Sequence, residues 1–513
     1  MIVRPSRNEK KQGKNPEADT SGSPRGLTSH RKRIVMATDV APPIDLAASL
    51  DQMMHPYRGT LPEFPRLPAS GLNRQDVIGT MENLQQREAA RWENGLASGA
   101  VYNGDRDHID FVSRVYALQS QVNPLHPDLW PSAAKFEAEI VAMTAHLLNG
   151  DKAGAPVGSE EGVCGSVTSG GSESILLAMK TYRDWARATK GITEPELVVP
   201  VSAHAAFHKA AQYFGLKLRV VPLDADFCVD LAALEAAVND KTIAIVGSAC
   251  NFPYGTIDPI ESLSAIAKER GVGLHVDGCL GGFFLPWAER LGQPVPTFDF
   301  RLPGVTSISC DTHKYGYAPK GTSVVLYRGA ALRRFQYFTT SDWPGGLYYS
   351  PTFSGSRPGG LSAACWAALV SIGEQGYLEA TRRILDAVAV MKQGVADIPE
   401  LRIMGRPIGV FAFTSTSDSL NIYQVLDRMS EKGWSLTGLQ RPAGIHLSPT
   451  LRHAQPGVAE RFVIDLKAAV ALVRENPDFV GGMAPIYGLA ATVPDRSLVH
   501  GMLQQVMDVY YRV

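Results

Sequence analysis

The chain has 513 residues, too many for one hydrophobic core, so two or three subdomains are expected. A hydrophobic fraction of 45%, a charged fraction of 20% and a net charge of -1 describe an ordinary globular protein and give no support to nucleic-acid binding. The 6 cysteines form no C-x-x-C pair and the 12 histidines do not cluster at ligand spacings, so no metal site is read and the thiols are expected to be buried and free. No stretch reaches the roughly 18 consecutive apolar residues that would span a bilayer.

Residues 1–40 read as a disordered basic arm. Arg4, Arg7, Lys10, Lys11, Lys14, Arg25, Arg31, Lys32 and Arg33 lie among polar residues, and no apolar core of a signal peptide is present. Such an arm also suits a membrane surface. Residues 41–130 form a helical N-terminal segment in this reading, with an exposed, charge-rich helix over 74–98. Three prolines in Asn123-Pro124-Leu125-His126-Pro127-Asp128-Leu129-Trp130-Pro131 define a rigid loop. Ser132 is the expected N-cap of a helix with Phe136, Ile140 and Met143 on one stripe.

Residues 131–375 show short apolar strands alternating with helices. Strands are expected at 163–168, 197–201, 218–223, 242–247, 273–277 and 322–327, with helices beginning near Ser172, Leu231 and Pro259. This pattern predicts a mainly parallel sheet covered on both faces. A long helix over 361–391, broken near Gly376, leads into a smaller C-terminal α/β domain over 376–513. That domain carries strands at 410–414 and 444–447 and helices at 421–432 and 459–474.

Four places in the large domain carry chemistry. Ser169-Gly170-Gly171-Ser172 opens a helix, where glycines and free N–H groups suit a phosphate. His204 follows a strand and presents a flat ring that can stack on a planar cofactor. Asp277 ends a strand, where open α/β sheets place ligands, and a buried carboxylate there needs a cationic partner such as a protonated pyridine nitrogen. Lys314 lies in Asp311-Thr312-His313-Lys314-Tyr315-Gly316, a tight connection between two buried strands. Each position has an ordinary structural explanation by itself. Their order along one chain, each at a strand end, points to a pyridoxal-phosphate (PLP) site.

The motifs Thr168–Ser174, His275-Val276-Asp277-Gly278 and Asp311–Gly316 resemble fold-type-I PLP enzymes of the group II decarboxylase branch. With Cys279-Leu280-Gly281-Gly282-Phe283 and Gly355-Ser356-Arg357-Pro358-Gly359, the chain more closely resembles the sphingosine-1-phosphate lyases, of the soluble bacterial kind, over about residues 90 to 480. The resemblance implies a homodimer and PLP as cofactor. Lys314 would bond the cofactor, Asp277 would pair with its ring nitrogen and His204 would stack on the ring. Gly171, Ser172 and His313 would hold its phosphate, completed by Ser356 from a neighbouring copy. Tyr102, Asn123 and His126 match substrate-facing positions, and Lys320 matches a second active-site lysine suited to the substrate phosphate.

The implied reaction cleaves the C2–C3 bond of a phosphorylated sphingoid base by retro-aldol chemistry, yielding a long-chain aldehyde and phosphoethanolamine. The base for the C3 hydroxyl is open among Lys314, a tyrosine and water. The competing enzyme reading is amino-acid decarboxylation on the same fold; a more distant one is an inactive scaffold, against which intact Lys314, Asp277 and His204 argue. A cytoplasmic location is expected, and action on a host's lipids stays open.

Overall fold

A computed structural model describes residues 51–477 and 496–512. The expected basic arm therefore lies outside the described residues. The chain divides into two compact units, Pro68–Val499 and Met1–Leu67 with His500–Val513. The second unit is described over 51–67, in which Arg58 pairs with Asp51, and over 500–512, the C-terminal part of a helix Arg496–Tyr510. All that follows concerns the first unit.

Its centre is a seven-stranded sheet ordered β1-β7-β6-β5-β4-β2-β3. The strands are β1 Val163–Thr168, β2 Glu196–Pro200, β3 Lys217–Val221, β4 Thr242–Ser248, β5 Gly273–Asp277, β6 Ser307–Cys310 and β7 Ser323–Arg328. Every residue of β2, β4, β5 and β6 is buried. That uniformity is what a sheet covered by helices on both faces demands, and it explains runs such as Ile243-Ala244-Ile245-Val246 in place of alternation. Strands β3, β2, β4, β5 and β6 pair in parallel. β7 runs antiparallel to both β6 and β1. The connection over 311–322 holds turns and no helix, as an antiparallel return allows. The turn that carries Lys314 thus follows from the one reversal in this sheet.

The helices largely follow the expected periodicity, with corrections at their ends. The exposed helix is Arg74–Glu93, shorter than expected; Asn73 caps it by accepting the Gln75 N–H at 2.8 Å, and Ala89 is its buried residue. Ser132 is not a cap. The helix Pro131–Leu147 begins two residues earlier, with Trp130 at its N-cap and Pro131 in the first turn, where the missing N–H has no intrahelical partner to lose. The long helix Gly359–Ala396 is interrupted at Gly373 (φ 60°, ψ 177°), not at Gly376. Both positions are glycine, so local sequence could not choose between them.

Beyond this helix lies a four-stranded antiparallel sheet ordered β10-β11-β13-β12, from Leu401–Ile403, Phe411–Ser415, Thr437–Leu439 and Gly444–Leu447. A two-stranded hairpin, β8 Phe338–Thr340 with β9 Tyr348–Ser350, was not expected from the sequence. Among the described residues no helix is long and apolar enough to cross a membrane.

One buried charge pins the edge of the large sheet. Glu196, at the start of β2, accepts from Arg219 Nε at 2.5 Å and Nη2 at 3.0 Å, from Asn239 at 2.8 Å, and pairs with Lys217 at 3.0 Å. The Arg219 bond, followed by those of Asn239 and Lys217, holds its carboxyl down to about 2 against the cost of burial. A depressed carboxyl stabilises the fold above its ordinary value of 4.5, and that contribution is lost as pH falls toward about 2. Glu196→Gln should therefore cost on the order of 1–3 kcal/mol at neutral pH, discounted for the water-exposed partners. Urea melts of both proteins from pH 7 to pH 3 should show the gap closing below pH 4.5; a gap that stays constant across this range contradicts the assignment.

Candidate active site

Because β1 and β6 both run opposite to β7, β1 is parallel to β6, and the C-terminal ends of β1, β2, β4, β5 and β6 share one edge of the sheet. Open parallel sheets bind ligands at that edge. It carries Gly170-Gly171 after β1, the turn with His204 after β2, Cys250 after β4, Asp277 at the end of β5, and the Asp311–Lys314 turn after β6.

Lys314 Nζ lies 2.9 Å from the fully enclosed carboxylate of Asp311, one turn earlier. Burial is the largest influence and works against the ammonium, but the Asp311 charge and hydrogen bond, joined by Cys279 and Tyr102, together outweigh it and push the Lys314 pKa above the ordinary lysine value. Asp311 responds in kind: burial raises its carboxyl, and the charges of Lys314 and His313 more than reverse this. His313 Nε2 is 3.7 Å from the same carboxylate, while burial, with help from Lys320 and Lys314, pushes its pKa down. The turn itself is clamped. Tyr377 donates to Gly316 O at 2.7 Å, His108 bonds Tyr317 O at 2.8 Å, and Tyr315 donates to Pro449 O at 2.8 Å. A Cβ at Gly316 would fall 2.4 Å from Thr312 O, so this tight turn admits only glycine there.

Gly171 opens the helix Gly171–Lys190 and is packed directly on Asp311. A Cβ there would meet Cys279 Sγ at 2.6 Å and the Asp311 carboxylate oxygens at 2.7 and 2.8 Å. Ser172, the next residue, is exposed. Asp277 is buried and accepts at Oδ1 from the Cys279 N–H at 3.1 Å and from Ser309 Oγ at 3.3 Å; among the described residues no donor reaches Oδ2. The charges of Asp277 and Lys314 both act on the thiols of Cys250, Cys279 and Cys310, which places the two groups around one space. Burial pushes the Cys250 thiol up to about 12 and the other two higher than their usual range, so these sulfurs stay protonated and are poor nucleophiles.

Tyr102 is buried against Tyr315, ring centroids 4.8 Å apart and edge-on, and Lys320 Nζ lies 4.8 Å over the Tyr102 ring. Burial raises the Tyr102 pKa, opposed by the Lys314 charge. Burial and then the Lys314 charge lower that of Lys320. Asn123 Nδ2 donates to Ser356 Oγ at 3.1 Å within the same chain, and Asn123 Oδ1 accepts from the Arg357 N–H at 3.3 Å; Arg357 is held by Glu137 at 2.6 Å. Ser356 and Ser169 line one cleft of about 150 Å³. His204 is exposed, and its Nδ1 accepts from the Ala206 N–H at 3.2 Å. His126 is exposed and packs edge-on to Trp130 at 6.4 Å; among the described residues no contact joins it to Lys314 or Lys320.

The structure thus draws Lys314, His313, Gly171, Tyr102 and Lys320 together, sets Asp277 and His204 on the same sheet edge, and pairs Asn123 with Ser356. Asp311 was missed as a site residue, although its i, i+3 spacing from Lys314 was readable in the motif.

These residues fit PLP. His313 Nδ1 and Asp311 Oδ1 are buried without a partner among the described residues, Asp277 Oδ2 is open, and the start of the helix at Gly171 offers unpaired N–H groups beside Lys314. The comparisons agree. Residues 100–413 match the pyridoxal-dependent decarboxylase conserved domain, and the chain belongs to that class of fold-type-I enzymes. A Lactobacillus brevis glutamate decarboxylase shares the fold, with TM-score 0.69 at 22% identity over 83% of this chain and 98% of that one. The chain is 48% identical to a sphingosine-1-phosphate lyase of Oryza sativa subsp. japonica over 86% of its length and 81% of that protein. A sphingosine-1-phosphate lyase structure from Burkholderia pseudomallei superposes with TM-score 0.83 at 46% identity, covering 89% of this chain and 99% of that one. Within the class, the chain belongs to the sphingosine-1-phosphate lyase family.

Gly171→Ala should push the new methyl into Asp311 and Cys279, at a cost of about 1–3 kcal/mol, and disturb the Lys314 pair. The expected result is a folded protein that retains PLP at least tenfold more weakly, a tenfold change being about 1.4 kcal/mol. Equilibrium dialysis against PLP checks it; unchanged affinity would contradict the close packing.

Proposed function

We infer that the protein is a PLP-dependent lyase that cleaves phosphorylated sphingoid bases, sphingosine-1-phosphate among them, between C2 and C3, giving a long-chain aldehyde and phosphoethanolamine. The observation that carries this reading is Lys314, a half-buried amine ion-paired with the enclosed Asp311 at the ligand edge of a sheet shared with a bacterial lyase along nearly its whole length. When bound, PLP supplies the electron sink that takes up the pair released at C2.

The chain's own residues would do the rest. Lys314 would supply the amine that anchors the cofactor, and Asp277 would pair with its ring nitrogen. His204 would stack on the ring, while Gly171, Ser172 and His313 would hold its phosphate. When not bonded to the cofactor, Lys314 would be a free amine able to hold or release a proton. Asp311 favours its charged form, so Lys314 is the group poised to take the C3 hydroxyl proton and return it to C2 after the bond breaks. Tyr102 and Tyr315 keep their protons because burial raises both, which suits them to donate hydrogen bonds rather than to act as bases. Lys320, held over Tyr102, is the cation proposed for the substrate phosphate, with Asn123 and His126 on its approach.

The reading includes a homodimer in which Ser356 reaches the phosphate site of a neighbouring copy, and a cytoplasmic location. Light scattering should then give twice the chain mass.

The deciding assay offers sphingosine-1-phosphate beside common amino acids. Aldehyde without carbon dioxide is expected, whereas carbon dioxide release identifies a decarboxylase instead. Lys314→Ala should lower turnover by roughly a thousandfold or more, and the yellow colour of the bound cofactor should be lost with it.

A further inference from the structure

A line of buried polar groups runs away from Asp277 into the sheet. Ser309 Oγ donates to Asp277 Oδ1 at 3.3 Å, and His275 Nε2 lies 3.2 Å from Ser309 Oγ. On the far side of the ring, His275 Nδ1 lies 2.7 Å from Ser307 Oγ, which lies 2.6 Å from the Tyr182 hydroxyl. The cross-strand register explains the spacing: His275 faces Ser307 and Asp277 faces Ser309 on neighbouring parallel strands β5 and β6. His275, Ser307 and Ser309 are wholly enclosed, and Tyr182 and Asp277 nearly so. None of these partners is a surface group that water could replace.

The direction of every proton in this line follows from its end. An ionised carboxylate can only accept, so the single Ser309 proton goes to Asp277. Ser309 Oγ must then accept from His275, and the ring must carry its proton on Nε2. Nδ1 is therefore a lone pair and Ser307 donates to it; the Tyr182 hydroxyl beyond, which also lies 2.7 Å from Thr306 Oγ1 and 3.3 Å from Leu274 O, closes the line. The opposite tautomer would turn Ser309 toward the ring and strip Asp277 of a donor inside a medium where an unpaired buried charge is costly. The remaining neighbours of the ring are consistent with a neutral imidazole. Phe207 packs edge-on at 5.8 Å, Asp277 is the one charge acting on it, and burial, against that charge, lowers its pKa to about 4. Cys279 adds a second donor to Ser309 Oγ at 3.3 Å.

We propose that His275 is a positioning residue for the cofactor site: locked as the Nε2–H tautomer, it orients Ser309 so that Asp277 is held charged and aimed at the ring nitrogen of PLP. This deepens the proposed function and rests on it for the identity of the cofactor, though not for the tautomer. The relay separates two roles that one carboxylate must combine. Oδ1 is bound from behind by Ser309 and Cys279, which leaves Oδ2 for the ligand.

The test uses the full chain in two states. In the cofactor-free protein, nitrogen-15 NMR of labelled histidines, with His275 assigned by the signal missing from His275→Gln, should show a protonated Nε2 and a bare Nδ1. An Nδ1–H tautomer overturns the proposal whatever the cofactor does. In the presence of PLP, Ser309→Ala and His275→Leu should bind about tenfold more weakly, as expected for losing one bond to a charged group, with an altered visible band. His275→Gln, which keeps a donor at the Nε2 position, should recover most of the affinity and the original band. If Ser309→Ala binds PLP with unchanged affinity and spectrum, the relay is refuted while the cofactor reading stands. If the unaltered chain binds no PLP, the cofactor reading fails and the tautomer measurement still decides the relay.

Discussion

A lysine ammonium and an aspartate carboxylate 2.9 Å apart, largely withdrawn from water, are each costly to bury singly and tolerable only as a pair. Lys314 and Asp311 form that pair, and much of the surrounding structure is arranged to hold it. Gly171 has no side chain because Asp311 occupies the space. Tyr377, His108 and Tyr315 tie the following turn to three separate parts of the unit. The Tyr315 bond to Pro449 reaches the segment after β13, so the small sheet helps to fix the lysine of the large one.

The pair also bears on why the proposed nucleophile is an amine. Three thiols surround the same space, yet burial keeps all of them protonated. An amine whose charge is set by an adjacent carboxylate can release and retake a proton as ligands come and go. Carboxylates at both ends of the site, Asp311 beside the lysine and Asp277 across from it, provide charge without occupying the cavity. Each is enclosed; Asp277 is steadied by Ser309 and the Cys279 N–H, and Asp311 by Lys314 in the same turn.

Much of this could be read from local pattern. The strand 273–277 and its terminal Asp277 were visible because a run buried on both faces ends where a polar residue appears. The helix start at Gly171 and the turn at Lys314 were visible because glycines and a charged cluster interrupt apolar runs. Other features were hidden for physical reasons. The cap of the helix Pro131–Leu147 went to proline geometry rather than to Ser132. The break of the long helix fell at Gly373 because both glycines can adopt a positive φ and only packing selects one. The bond between Asn123 and Ser356 joins residues far apart in the chain, with no local signal to announce it.

By itself, then, the sequence determined the alternation of strands and helices, the kinds of chemical groups available and the order in which they reach the sheet edge, since these depend on neighbours a few residues away. Tertiary structure decided which groups meet. It reversed β7, placed Asp311 against both Lys314 and Gly171, and aligned His275 with Ser307 and Ser309 across two strands. Those contacts depend on strand register and on the packing of segments distant in sequence, and a linear pattern carries no record of either.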